Sequence, residues 1–181
     1  MSDALAAKIR PIQFLITSPV VSDKMFDNAS SGKEREAFTA RLLFMLEALS
    51  RNSQFFLQSH PTFPLLYEAG VKYIGQDYDE KWQDAFTTLT RKGGDCEDLS
   101  TWRIAELRER FSIRARPFVT WRVKPTGGYL YHALVWRQSI ADSLPPGVRN
   151  AKDRPDILRP GPRGGYIEDP SRVLGMGKSG A

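Results

Sequence analysis

The sequence predicts an α+β domain in which a cysteine-bearing helix packs on an antiparallel sheet, and three observations predict it. A stretch with helical capping and apolar spacing opens at Cys96, the only cysteine of the chain. Two β-branched and aromatic runs follow at residues 116–123 and 129–137, joined by the turn sequence KPTGG. A third short run, GYIED, stops at Pro170.

Bulk properties narrow the class. A chain of 181 residues buries one good core and is too short for two domains of ordinary size. Hydrophobic residues make up 41% and charged residues 26%, the balance of a globular protein, and no apolar run approaches the ~20 residues of a membrane span. A membrane partner is therefore not expected. The net charge of +5 is spread among acidic residues with no isolated basic block, so no specific nucleic acid is expected either. One cysteine excludes an intramolecular disulfide and a cysteine-rich zinc site. The N-terminal residues show no signal-type apolar region, which points to the cytoplasm as the place of action.

In chain order, residues 1–30 read as an extended arm: 11–21 are apolar and β-branched but interrupted by Pro19, and 22–32 are polar. The domain proper spans 31–174. From Lys33 to about Arg51, Phe38, Leu42, Met45, Leu46 and Leu49 recur at helical spacing and predict an amphipathic helix. The run SHPTFPLLYEAGVKY is a packed loop with a short helix near Leu65 to Ala69, and Trp82, Phe86 and Leu89 are spaced for a second short helix. Gly93 and Gly94 interrupt the chain, Asp95 is an N-cap and Asp98 completes a capping box, so a helix should run from Cys96 to Arg110 with Leu99, Trp102, Leu107 and Phe111 buried. Residues 138–164 are Pro-, Gly- and Arg-rich without periodicity and read as a surface insertion; 175–181 form a flexible tail.

Cys96 begins a helix, where free N–H groups and the positive dipole end favour a thiolate, and the two glycines before it let a substrate approach the backbone. A lone cysteine is more often a small buried hydrophobe, but Asp95, Glu97 and Asp98 are poor neighbours for one. Of the two histidines, His60 precedes a proline in a packing loop, whereas His132 lies in a strand, with Leu130, Leu134 and Trp136 on its face. His132 is thus the candidate base and Asp169, on the neighbouring short strand, the candidate partner that sets its tautomer. Glu168 should point to the opposite face. The acids around Cys96 would raise the thiol pKa unless Arg172, Lys92 or the helix terminus compensates.

On these residues the chain resembles the transglutaminase-like, papain-type superfamily: GGDCEDLSTWRIAELRERF resembles its cysteine helix, YHALVW its histidine strand and YIEDPSR its aspartate strand, in the same order. KWQDAFTTLTRKGGDCED is similar to the entry into the bacterial transglutaminase-like cysteine proteinases. HPTFPLLYEAGVKY, GGDCEDL, YHALV and EDPSRVLGM together resemble small transglutaminase-like proteins of tailed bacteriophages and prophages. The similarity covers roughly residues 60–176, with GDCED its most specific element. The spacing from His132 to Asp169 is longer than usual in the family, the excess being the insertion.

The resemblance implies a papain-like core and a Cys96–His132–Asp169 triad performing acyl transfer on a protein or peptide amide, with Gln76 and Gln83 as candidate oxyanion donors. It requires no cofactor. Asp95 and Glu97 match positions that bind calcium in the proteinase branch, but two carboxylates make a thin calcium site, and internal compensation is the favoured reading. The alternative function is a non-catalytic virion component, a head–tail connector, neck or tail protein, keeping the fold as a scaffold. In either case the implied setting is the bacterial host cytoplasm or a phage virion, with other virion proteins held through residues 1–30 and the tail.

Overall fold

The computed structural model describes residues 32–75, 82–123, 125, 129–138 and 158–175. The arm over 1–30, the tail from 176 and most of the insertion therefore lie outside the described residues, as does Gln76.

Helix α1 covers Gly32–Ser59 and is two turns longer than its apolar periodicity predicts. Past Arg51 the inward positions include Ser53 as well as Leu57, and the small hydroxyl hides the stripe from a hydrophobicity reading. Ser53 is nevertheless buried, and its Oγ accepts from the Ala85 N–H at 3.2 Å. The helix stops at the residue pair His60–Pro61, where the ring of the proline disfavours helical backbone at the residue before it. A 3-10 turn at Leu66–Glu68, the strand β1 at Lys72–Tyr73 and helix α2 at Ala85–Arg91 follow.

Strand β2, Gly93–Gly94, pairs in parallel with β1. A Cβ on Gly94 would lie 2.7 Å from Asp98 Cβ, and one on Gly93 would collide with the Ile74 side chain. The two glycines thus serve close internal packing, not the approach of a substrate as the sequence had indicated.

Helix α3, Cys96–Arg110, has the predicted bounds and the predicted capping box: the Asp95 carboxylate accepts from the Glu97 and Asp98 N–H groups, and Asp98 returns the bond to the Asp95 N–H. Every residue from Cys96 to Leu107 is buried, so this is a central helix and not a one-sided one. Leu42, Leu46 and Leu49 of α1 meet Cys96 on one side; Leu99, Trp102 and Ala105 pack with Leu57, Leu66 and Val71; Ile104 and Leu107 join Phe111, Ile113 and Val135.

Strands β3, Ala115–Val123, and β4, Tyr129–Arg137, form the expected antiparallel pair, with Thr120 opposite His132. The end of the predicted insertion belongs to the sheet instead: β5, Arg159–Pro160, is its edge strand, pairing with β6, Tyr166–Glu168, to complete the order β3-β4-β6-β5. A two-residue strand carrying a proline is hard to read from sequence because it has no room for alternation. Helix α4, Pro170–Val173, closes the described chain, capped by Asp169. The architecture is α+β, and no helix among the described residues is long and apolar enough to cross a membrane.

Candidate active site

The α3 N-terminus and the middle of β4 meet at a cavity of about 60 Å³ lined by Tyr73, Asp95, Cys96, Glu97, Arg122, Leu130, Tyr131 and His132. That volume holds a few water-sized groups and so suits one functional group of a substrate. The sheet does pack on α3, through Tyr131 and Ala133 beside Cys96 and through Val135 beside Ile104. His132 belongs to the alternate set of β4 side chains and reaches the cavity from the strand itself.

His132 Nε2 lies 3.2 Å from both Asp169 carboxylate oxygens. With the Nε2 proton donated to Asp169, the neutral ring carries its lone pair on Nδ1, the nitrogen left to serve a thiol. Burial raises the Asp169 pKa, but the His132 hydrogen bond and charge, with Arg172, outweigh it and hold the carboxyl below its ordinary value. This stabilisation is present above the ordinary carboxylate range and is lost as the pH falls through the lowered value.

The thiol does not donate to the histidine in this conformation. Cys96 Sγ donates to Glu97 Oε2 at 2.8 Å and accepts from the Ala133 N–H at 3.5 Å, and no Cys96–His132 hydrogen bond occurs among the described residues. The other Glu97 oxygen accepts from the Tyr131 hydroxyl. Desolvation first, and the Glu97 and Asp95 charges next, push the Cys96 pKa well up, against a small lowering from the Ala133 N–H. Neither cation expected to compensate is placed to do so. Arg172 sits on Asp169 at 3.4 Å, and Lys92 is exposed at the left-handed C-cap of α2. Exchanging Glu97 for glutamine removes one of the charges holding the proton on Cys96. Each unit of pKa released raises the thiolate fraction about tenfold below the pKa. Glu97→Gln should therefore increase iodoacetamide labelling at pH 7 by several-fold and move the rate–pH profile to lower pH; a superimposable profile would show that Glu97 does not control the thiol.

The remaining candidates fall elsewhere. The Gln83 amide nitrogen donates to Asp98 Oδ2 at 2.8 Å and its backbone N–H to Asp98 Oδ1 at 2.6 Å, so Gln83 braces the α3 cap and is not among the residues lining the cavity. Its oxyanion role is replaced by this structural one. Asp95 and Glu97 do not fit a calcium site: the first carboxylate caps α3 and the second is taken by Tyr131 and Cys96, whereas calcium takes six to eight oxygens. No group of three or more potential metal ligands occurs among the described residues. Comparison of the chain with protein-family models, curated proteins and solved structures finds no match.

Tyr73 and Tyr131 are cavity residues that sequence reasoning missed. Burial, followed by the charges of Cys96, Asp95, Glu97 and Asp169, pushes the Tyr73 pKa to about 12, so its hydroxyl stays a donor at neutral pH. Its signal was only the short β pattern VKY ahead of the cysteine motif, which does not say where the side chain ends up.

Three elements that bring the triad candidates together are tied from below. Glu168 ends β6 and is fully buried, and its partners differ from those of Asp169, which lies one residue past the strand as the N-cap of α4. Its carboxylate accepts from Arg103 of α3 at 2.6 Å, Arg137 of β4 at 3.1 Å and the Tyr67 hydroxyl at 2.5 Å. Arg103 also pairs with Glu106, which accepts from the Leu66 N–H. One carboxylate thus pins the helix of Cys96, the strand of His132 and the strand leading to Asp169.

Proposed function

We propose that the chain is a transglutaminase-like thiol enzyme with a papain-like core, transferring the acyl group of a protein or peptide amide to Cys96. The observation that carries this reading is the meeting of Cys96 and His132 in one cavity, with the histidine held on Asp169. In the reaction, His132 Nδ1 takes the Cys96 proton as sulfur attacks the carbonyl carbon, and returns it to the leaving amine as the C–N bond breaks. Two donors serve the oxyanion: the Cys96 N–H, which at the first helical position has no intrahelical acceptor, and the Tyr73 hydroxyl. Water then discharges the thioester in hydrolysis, and a lysine amine in crosslinking. No cofactor enters the scheme, and the phage or prophage setting remains part of the proposal.

One observation favours the second reading, a virion structural component: the buried Cys96 thiol is bonded to Glu97 instead of to the base. An activated acetyl ester separates the two. The enzyme reading expects intact-mass analysis to find one acetyl group on Cys96, discharged faster when an amine is added. A Cys96 acylated no faster than a small free thiol, with no discharge to water or amine, would leave the structural reading as the better account.

A further inference from the structure

At the far end of α3 lies a second, larger cavity of about 450 Å³, lined by Arg51, Arg108, Arg114, Arg116, Arg163 and Trp136. Arg108 follows Cys96 by twelve helical positions, about 18 Å along the axis, so the two cavities are separate. The volume is that of a small-molecule site. Five arginines line it, and among the described residues Glu47 is the carboxylate paired with them, accepting from Arg51 at 2.8 Å and Arg108 at 2.7 Å. An excess of about four positive charges results, which repels itself unless an anion enters.

The Arg108 and Arg116 side chains and the Arg163 backbone are held in place. Arg108 Nε donates to the Ala115 carbonyl at 2.9 Å, and its buried Nη1 has no partner. Arg116 stacks over the Trp136 ring at 4.4 Å. Arg163 sits in left-handed backbone, φ 57° and ψ 38°, a conformation costly for a side-chain-bearing residue. Its loop is fixed by Gly161 N–H to Gly165 O at 2.8 Å and by the Trp136 indole N–H to Pro162 O at 2.9 Å. A Cβ on Gly165 would come within 2.4 Å of the indole, so only glycine lets this loop lie so close to Trp136. Strained backbone, a packed glycine and a stacked tryptophan together bring Arg163 to the cavity lining, and neither Arg163 nor Arg114 has a carboxylate partner among the described residues.

We propose that this cavity binds a small ligand carrying two or more adjacent phosphate groups. Guanidinium forks match phosphate oxygens in pairs, and neutralising this charge within so small a volume requires a dense anion. An acidic peptide brings one charge per residue and a nucleic-acid strand one per nucleotide, both too dilute for the space.

Calorimetric titration of the full chain at physiological salt tests this with sodium tripolyphosphate as probe. Tripolyphosphate should bind at least tenfold more tightly than orthophosphate, hexaglutamate or a short oligothymidylate. The double variant Arg114→Gln/Arg163→Gln should weaken it at least tenfold without moving the thermal midpoint, since both residues are exposed. Stronger binding of adenosine triphosphate than of tripolyphosphate assigns the phosphates to a nucleotide, and equal binding to a free polyphosphate chain; both support the site. Undetectable tripolyphosphate binding, an affinity indifferent to the double variant, or tighter binding of hexaglutamate or the oligonucleotide would overturn it.

Discussion

Substituting His132 by alanine should slow acylation of Cys96 by an activated ester by about 10²–10⁴-fold, the range a positioned general base supplies. The effect should sit near the upper part of that range because the thiol begins protonated: burial and the Glu97 and Asp95 charges hold its pKa well up, so little thiolate exists without a base to take the proton. In the proposed mechanism the Cys96 side chain must leave Glu97 and turn toward Nδ1, which only a histidine at 132 rewards. Asp169→Asn should lower the rate too, since an amide no longer selects the tautomer with its lone pair on Nδ1. Single-turnover kinetics, with free imidazole added to the alanine variant, provide the check. Partial rescue by imidazole marks a missing base, whereas an unchanged rate in His132→Ala removes the histidine from the chemistry and with it the enzyme reading.

Glu168→Ala should cost about 3–5 kcal/mol of folding stability, the usual penalty for breaking a buried ion pair, because it removes the carboxylate that Arg103 and Arg137 share. Against the 5–15 kcal/mol that an ordinary domain has in total, this removes a large fraction and puts some molecules in the unfolded state at 37 °C. Urea denaturation measures it. Replacing Arg103, Glu106, Arg137 and Glu168 together with apolar residues of similar volume should be far milder than the single change, because the cost lies in the orphaned charge and not in the missing pair. A Glu168→Ala loss below ~1 kcal/mol would show that water reaches the arginines, and that the network does not pin the three elements around the cavity.

Much of the scaffold was legible because its signals are local. The α3 cap depends on Asp95 and Asp98, three residues apart, and the β3–β4 pair on two runs of β-formers across a short turn; both emerged with bounds correct to within a residue. Where the stripe included a serine, as at Ser53, or the strand had two residues, as at Arg159–Pro160, the pattern was too weak to read.

The partners of polar groups were another matter. Sequence spacing put three acids around Cys96 but could not say that Glu97 would reach the thiol, that Arg172 would settle on Asp169, or that Gln83 would spend its amide on Asp98. Nor could it show Tyr73 entering the cavity from a strand more than twenty residues upstream, or Arg51, Arg114 and Arg163 converging from three separate segments. By itself, the sequence determined which segments become helix and strand, and that one cysteine stands at a helix start and one histidine on a strand; the aspartate read as strand is instead the N-cap of α4, one residue past β6. Tertiary structure alone decided the protonation of that cysteine and the destination of each charge. Backbone preference acts over a few neighbouring residues, whereas desolvation and Coulomb energy depend on distances that exist only once the chain has folded.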